Sequence, residues 1–210
     1  MSSTANVPSQ STLPPLSALQ TLLITNPLPA SSPHTTEHHH LALQIAHNLK
    51  HQHNWTSLRL HSYSSSSKTP LSRPLLSGVP PSRLYVHPDE QIALLQRVKE
   101  EQPNGTPSLT NLKPEREWIL PSHLREKWSL RKFGEVFDGI GVTPGSREGV
   151  EVLEEESRGR TGRDVNGMEK EQVGEWREKL PKRVLLATAD DDSTVVYYVV
   201  HDGIVKPRQN

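Results

Sequence analysis

Residues 183–201 read RVLLATADDDSTVVYYVVH and carry the clearest structural signal in the chain. Segments 183–189 and 194–201 are both rich in β-branched and aromatic residues, which favour β-strands. Between them lies the polar segment 190–193, whose Asp and Ser side chains are typical of a tight turn. Two strand-forming segments around such a turn predict a C-terminal β-hairpin.

The second strand of this hairpin is apolar on both faces, since successive side chains point to opposite sides of a sheet. Such a strand is typical of a position that is buried on both faces. A long apolar edge left open would invite aggregation. The pattern therefore predicts either a central strand or an edge covered by another subunit, and we assign the partner interface to Val195, Tyr197, Tyr198, Val199, Val200 and His201.

The rest of the chain alternates helical and strand patterns. Apolar residues at three- and four-residue spacing predict helices, and short β-branched or aromatic runs predict strands. Helices are predicted within 15–25, over 36–50, from Pro88 onward and over 124–137; strands are predicted over 55–60, 83–87 and 117–120, the last ended by Pro121. We therefore expect an α/β fold, with a small mixed sheet, helices on at least one face and the C-terminal hairpin.

The composition limits the size of the folded core. Only 32% of the 210 residues are hydrophobic and 18 are proline, which predicts a core of roughly 110–140 residues with looser segments around it. We expect a disordered tail over 1–12 and a single α/β domain formed by 13–141 and 182–210. The Glu-, Arg- and Gly-rich segment 142–181 is predicted to be a mostly flexible charged insertion.

Charge and residue usage argue against several function classes. The 24 basic and 24 acidic residues cancel, whereas proteins that bind nucleic acid alone usually carry a positive excess. The chain has no Cys, and its histidines, such as His47 and His51, lack acidic residues at metal-site spacing. No apolar run approaches the ~20 residues of a membrane span. We therefore expect no cofactor, no metal site and no membrane span.

Several segments resemble one known family. They are 83–88 (RLYVHP), 117–121 (EWILP), 124–130 (LREKWSL) and 184–206, of which the hairpin is the most specific. Together, residues 40–141 and 182–210 resemble the smallest accessory subunit of the fungal tRNA-splicing endonuclease. The tail and the charged insertion carry no resemblance.

The resemblance implies a structural role inside a larger assembly. The family's complex is a heterotetramer of two catalytic and two structural subunits that cuts pre-tRNA at both intron boundaries. Its subunits share a small α/β domain, and the smallest subunit pairs with a catalytic one in part by joining C-terminal strands. The family also implies a nuclear location, or in some yeasts the cytosolic face of the mitochondrial outer membrane.

The resemblance transfers no catalytic residue. Catalytic relatives use a Tyr, a His in a Gly/Phe-rich segment and a Lys ahead of the C-terminal strands. No such Gly/Phe-rich segment precedes the hairpin, and Lys182 lies too close to the strand to match. We therefore expect a non-catalytic subunit.

Two alternatives remain open from the residues. One is a metal-free ribonuclease using Tyr198, His201 and Lys206, although the first two lie three apart on one strand and so point to opposite faces. The other is a homodimeric scaffold unrelated to tRNA. Lys206 and Arg208, after the hairpin, are candidate contacts to RNA or to a partner.

Overall fold

The structure, a computed structural model, describes residues 14–101, 113–153, 177 and 180–203, except for the side chains of Arg97, Val98 and Glu101. In chain order the helices are α1 (Ala18–Thr25), α2 (Thr36–His53), α3 (Pro88–Glu101) and α4 (Leu130–Gly139). The strands are β1 (Thr56–Tyr63), β2 (Pro70–Val79), β3 (Glu117–His123), β4 (Val150–Glu151), β5 (Arg183–Ala189) and β6 (Val195–His201). None of these helices is long and apolar enough to cross a membrane.

All six strands form one mixed sheet in the order β4-β1-β2-β3-β5-β6. β3 and β5 are parallel, and every other neighbouring pair is antiparallel. β5 and β6 pair over their full length, from Arg183 opposite His201 to Ala189 opposite Val195. The predicted α/β class, mixed sheet and C-terminal hairpin are thus confirmed.

Helices pack on both faces of the sheet, each against its own apolar cluster. α1 and α2 cover one face, where Leu43, Ile45 and Leu49 meet Ile119 and other strand residues. We call this the α2 face. The opposite, α4 face carries a second cluster; it comprises Leu71, Leu75, Trp118, Leu120, Val136, Phe137, Ile140 and Val184. Adjacent residues of the central strands alternate between the two clusters, as the pleat requires.

Two strand predictions are wrong in ways that side-chain contacts explain. Segment 83–87 forms no strand; instead Arg83 donates to Glu90 and Glu115, and the ring of Tyr85 lies 4.8 Å from that of His201. β3 does not end at Pro121 but continues to His123. The ladder to β2 ends at Ile119, so the proline lies where the strand has only one neighbour and a missing N–H is tolerated.

Helix α4 begins six residues later than the predicted start at Leu124. The segment before it is a turn, in which His123 O accepts from Glu126 N at 2.9 Å. Ser129 then caps the helix, its side chain accepting from Lys132 N at 3.3 Å, as N-cap serines do. Leu130, the first residue of the helix, is 92% exposed.

The start of the predicted charged insertion belongs to the sheet. β4 pairs with Arg59 and Leu60 of β1, and Val152 is buried beside it. Gly149 has φ +79° and its position leaves no room for a Cβ, which would lie 2.7 Å from Leu60 O. The remainder, 154–176 and 178–179, lies outside the described residues, as does the predicted tail 1–12. For those segments the domain boundaries stay predictions.

A buried ion cluster ties the hairpin to the rest of the fold. Arg183 of β5 bonds Glu117 and Glu115, the latter at 3.0 Å. Arg83 bonds Glu115 at 2.8 Å and Glu90 of α3 at 2.7 Å. All five side chains are at most 8% exposed. Charges this deeply buried are tolerated only when they are paired, so the cluster locks β5 to β3 and α3.

Candidate partner interface

The outer edge of the sheet is strand β6, and no other described strand pairs with its free side. Three of its side chains are substantially exposed: Tyr198 at 57%, Val196 at 46% and Val199 at 40%. Of these, Val196 and Tyr198 lie on the α4 face, which α4 does not cover at this edge. Of the two predicted positions, the described residues therefore show the edge and not the central strand. Cover of this edge by another subunit stays a prediction.

The other apolar side chains of β6 hold the strand to its own domain. Val195 and Tyr197 pack on the α2 face, and Val200 on the α4 face. The hydroxyl of Tyr197 donates to Asn48 Oδ1 at 2.5 Å, and its ring meets that of His53 edge-on at 5.1 Å. Burial raises the pKa of Tyr197, so it stays protonated. These residues stabilise the edge that Val196, Tyr198 and Val199 present.

His201 ends the strand in a positively charged setting. It lies opposite Arg183 in the ladder and against the ring of Tyr85. Burial, together with the charges of Arg183 and Arg177, lowers the pKa of His201. Its Nε2 is buried and has no hydrogen-bond partner among the described residues.

The described residues do not assemble the ribonuclease constellation. Tyr198 opposes Leu186, whose side chain lies on the α4 face. His201 is four residues after Tyr197 on the same strand, so its side chain points to the α2 face, as that of Tyr197 does. Acid–base catalysis needs both groups within hydrogen-bond reach of one substrate, and a sheet separates them. The ammonium group of Lys182 has a structural contact, since its Nζ donates a hydrogen bond to Phe137 O at 2.7 Å.

Two predicted contacts, Lys206 and Arg208, lie outside the described residues and stay predictions. Conversely, the sequence reasoning left Val196 out of the interface, although its exposure matches that of Val199. Val196 is two residues from Tyr198 and so shares a face of the strand with it, and this spacing was enough to predict its place in the interface. Among the described residues, no three His, Asp or Glu side chains converge as metal ligands would.

A cavity of about 550 Å³ lies at the opposite edge of the sheet, between the α1–α2 connection, β1 and residues 147–152. Two histidines face it, and both are already bonded. His39 Nε2 lies 2.9 Å from Asn26 O, and His61 Nε2 lies 2.8 Å from Ser77 Oγ. Ser77 is fully buried, so this Ser–His pair cannot reach a substrate and serves the fold.

His61 predicts a pH dependence of stability. Burial, the largest cause, lowers its pKa to about 4, whereas the unfolded side chain titrates near 6.5. Between these values the unfolded chain binds a proton that the folded chain does not, so stability falls as pH falls. From pH 7.5 to 5, wild type should lose about 2 kcal/mol more than His61→Gln. Urea unfolding at both pH values measures this, and equal losses in the two proteins would contradict it.

Comparison with known proteins yields one family and a set of fungal relatives. The model of the family described as "Sen15 protein" matches residues 44–153 and 166–210. A Neurospora crassa protein named probable tRNA-splicing endonuclease subunit tsp-1 is 44% identical over 167 residues, which cover 79% of this chain and 64% of that protein. The Schizosaccharomyces pombe protein named probable tRNA-splicing endonuclease subunit sen15 is 27% identical over 156 residues, which cover 74% of this chain and 73% of that protein.

Proposed function

The chain belongs to the Sen15 protein family, and from this premise we propose that it is a non-catalytic subunit of a tRNA-splicing endonuclease. In this role it supports a catalytic subunit that cuts pre-tRNA at intron boundaries and takes no part in the chemistry. The names of the Neurospora crassa and Schizosaccharomyces pombe relatives, both tRNA-splicing endonuclease subunits, support this role.

The single observation that carries the proposal is the open edge of β6. Its backbone groups have a strand on one side only, and Val196, Tyr198 and Val199 are exposed around them. A partner strand added there would satisfy the free N–H and C=O groups and cover the apolar side chains. We therefore assign the interface to Val195–His201, with a catalytic subunit as the direct partner.

The separation of Tyr198 and His201 supports a structural role over a catalytic one. A metal-free ribonuclease needs a base, an acid and a cation around one phosphate. Here the Tyr and His lie on opposite faces, and burial together with nearby arginines disfavours the charged form of His201. We extend the proposal to the fold type shared with the catalytic subunits and to a nuclear location, both of which rest on the family.

Tagged purification from the native source tests the proposal. We expect endonuclease subunits to co-purify with the chain, and cleavage of an intron-containing pre-tRNA only by the assembled complex. A chain that purifies alone, or as a homodimer without pre-tRNA cleavage, would refute it. Cleavage by the purified single chain would instead favour the ribonuclease alternative.

His201→Ala separates the structural role from the catalytic one. Because His201 is assigned no chemistry, the assembled variant should cleave pre-tRNA within about twofold of wild type. A lost general acid or base would lower the rate about 10²–10⁴-fold. Single-turnover cleavage by complexes of confirmed composition measures the difference, and a drop of that size would overturn the assignment.

A further inference from the structure

The segment between β3 and the first turn of α4 carries a concentration of exposed positive charge. Residues 123–132 read HLREKWSLRK, and we call them the basic connection. Its four Arg and Lys residues are all exposed, as are Leu124 and Leu130; the four are Arg125, Lys127, Arg131 and Lys132. Its only acidic residue is Glu126.

That acidic residue does not neutralise the exposed charge. Glu126 Oε1 accepts from Arg73 Nη1 at 2.6 Å, beneath the connection. Arg125 pairs with Asp191 of the hairpin turn, which leaves Lys127, Arg131 and Lys132. Arg131 meets Glu135 at 3.2 Å, but its side chain is 90% exposed, and such a pair is weak and screened by salt.

The connection is held in one shape and against the hairpin. Trp128 Nε1 donates to Ser122 Oγ at 2.7 Å, and its ring stacks on Phe133 at 4.7 Å. Leu124 N donates to Ala189 O at 2.8 Å, at the end of β5. The backbone that carries the cations is therefore held at the turn end of the partner interface, so binding a ligand there does not require this segment to be ordered first.

Two of the cations lie at an electrostatically unfavourable position in the isolated chain, the N-terminus of α4. The first turn of α4 contains no acidic residue but holds Arg131 and Lys132. Cations at the positive end of a helix are unfavourable, and a bound anion would relieve this. Lys is depleted in protein–protein interfaces, whereas Lys and Arg are the side chains that neutralise the phosphates of a nucleic acid. The pattern thus fits a polyanionic backbone better than an acidic protein surface.

We propose that the basic connection contacts the sugar–phosphate backbone of the RNA bound by the assembled complex. This inference rests on the proposed function, because the formally neutral chain relies on the complex to bring the RNA. The cations then add sequence-independent affinity beside the hairpin interface.

A matched pair of double variants tests the inference in the assembled complex. The first is Lys127→Gln with Lys132→Gln in the basic connection. The control is Lys68→Gln with Arg147→Gln, two exposed cations at the opposite edge of the sheet. Pre-tRNA binding is measured from 50 to 300 mM salt on complexes of verified subunit composition. For the first variant we expect weaker binding and a slope of log K against log salt that is shallower by about 0.7–0.9 for each phosphate that the variant no longer neutralises.

Each other outcome overturns the inference. Binding by the first variant equal to wild type at every salt concentration removes the RNA contact. An equal decrease in both variants indicates a general charge effect, and failure of the first variant to assemble indicates a protein contact. A wild-type chain that joins no endonuclease refutes the proposed function as well, whereas normal assembly with unchanged RNA binding refutes this inference alone.

Discussion

Tyr198→Asp is expected to abolish assembly with the catalytic subunit while leaving the isolated chain folded. Tyr198 is more than half exposed on the open edge strand, so an aspartate there remains solvated in the free chain. A partner strand would bury that carboxylate without a counter-charge. An uncompensated buried charge costs about 3–5 kcal/mol, which corresponds to roughly a hundredfold to several thousandfold loss of affinity.

The choice of Tyr198 over its neighbour follows from the structure. Tyr197 bonds Asn48 and packs on the α2 face, so Tyr197→Asp would damage the fold and the interface together. Co-expression pull-down with the catalytic subunit measures assembly, and thermal unfolding checks the fold. Tyr63→Asp is the matched control, since Tyr63 is 47% exposed on β1, which lies near the opposite edge of the sheet. A Tyr198→Asp chain that assembles like this control would place the interface elsewhere.

Arg183→Met should strongly destabilise the folded chain, because it removes a buried cation from an ion cluster. Arg183 is 2% exposed and bonds both Glu117 and Glu115. Removing it takes one cation from each of two buried carboxylates, which keep only Arg83 and Arg177 among the described residues, and breaking a buried ion pair costs about 3–5 kcal/mol. Because β5 is the strand that carries β6, assembly should weaken with the fold.

Arg131→Met provides the matched control for this exchange. Its ion pair with Glu135 is exposed, and pairs of that kind contribute about 0.3–0.5 kcal/mol. Urea unfolding of both variants therefore separates buried from exposed Arg–Glu pairs. Similar free energies of unfolding for the two would show that the cluster around Arg183 contributes little to stability.

The hairpin was predictable because its signal is local. Segments 183–189 and 195–201 are strand-forming on either side of an Asp-rich turn, and no other element is needed to recognise them. The helices over 18–25 and 36–53 were equally accessible, since a periodic apolar stripe is enough to identify an amphipathic helix. The family resemblance rested in part on the same hairpin segment.

Other elements were missed because tertiary contacts outweigh local preference. β2 contains Pro70, Pro74 and Gly78, and nothing in that composition favours a strand. It forms between β1 and β3 because Leu75 and Leu76 fill the two opposite clusters. Segment 83–87 shows the reverse case, since it contains strand-forming residues but forms no strand. Its Arg83 pairs with Glu90 and Glu115 in the ion cluster, and its Tyr85 packs against His201.

The candidate interface likewise has features that the sequence predicts and features that depend on the tertiary structure. The sequence determined that the last strand is apolar on both faces, because alternation alone decides which side chains share a face. Only the tertiary structure decided that this strand is an edge, that Tyr197 supports the fold while Tyr198 is presented outward, and that the cations of residues 123–132 lie beside it. Those facts depend on strand order and on where α2 and α4 pack, which are set by contacts between residues far apart in the chain.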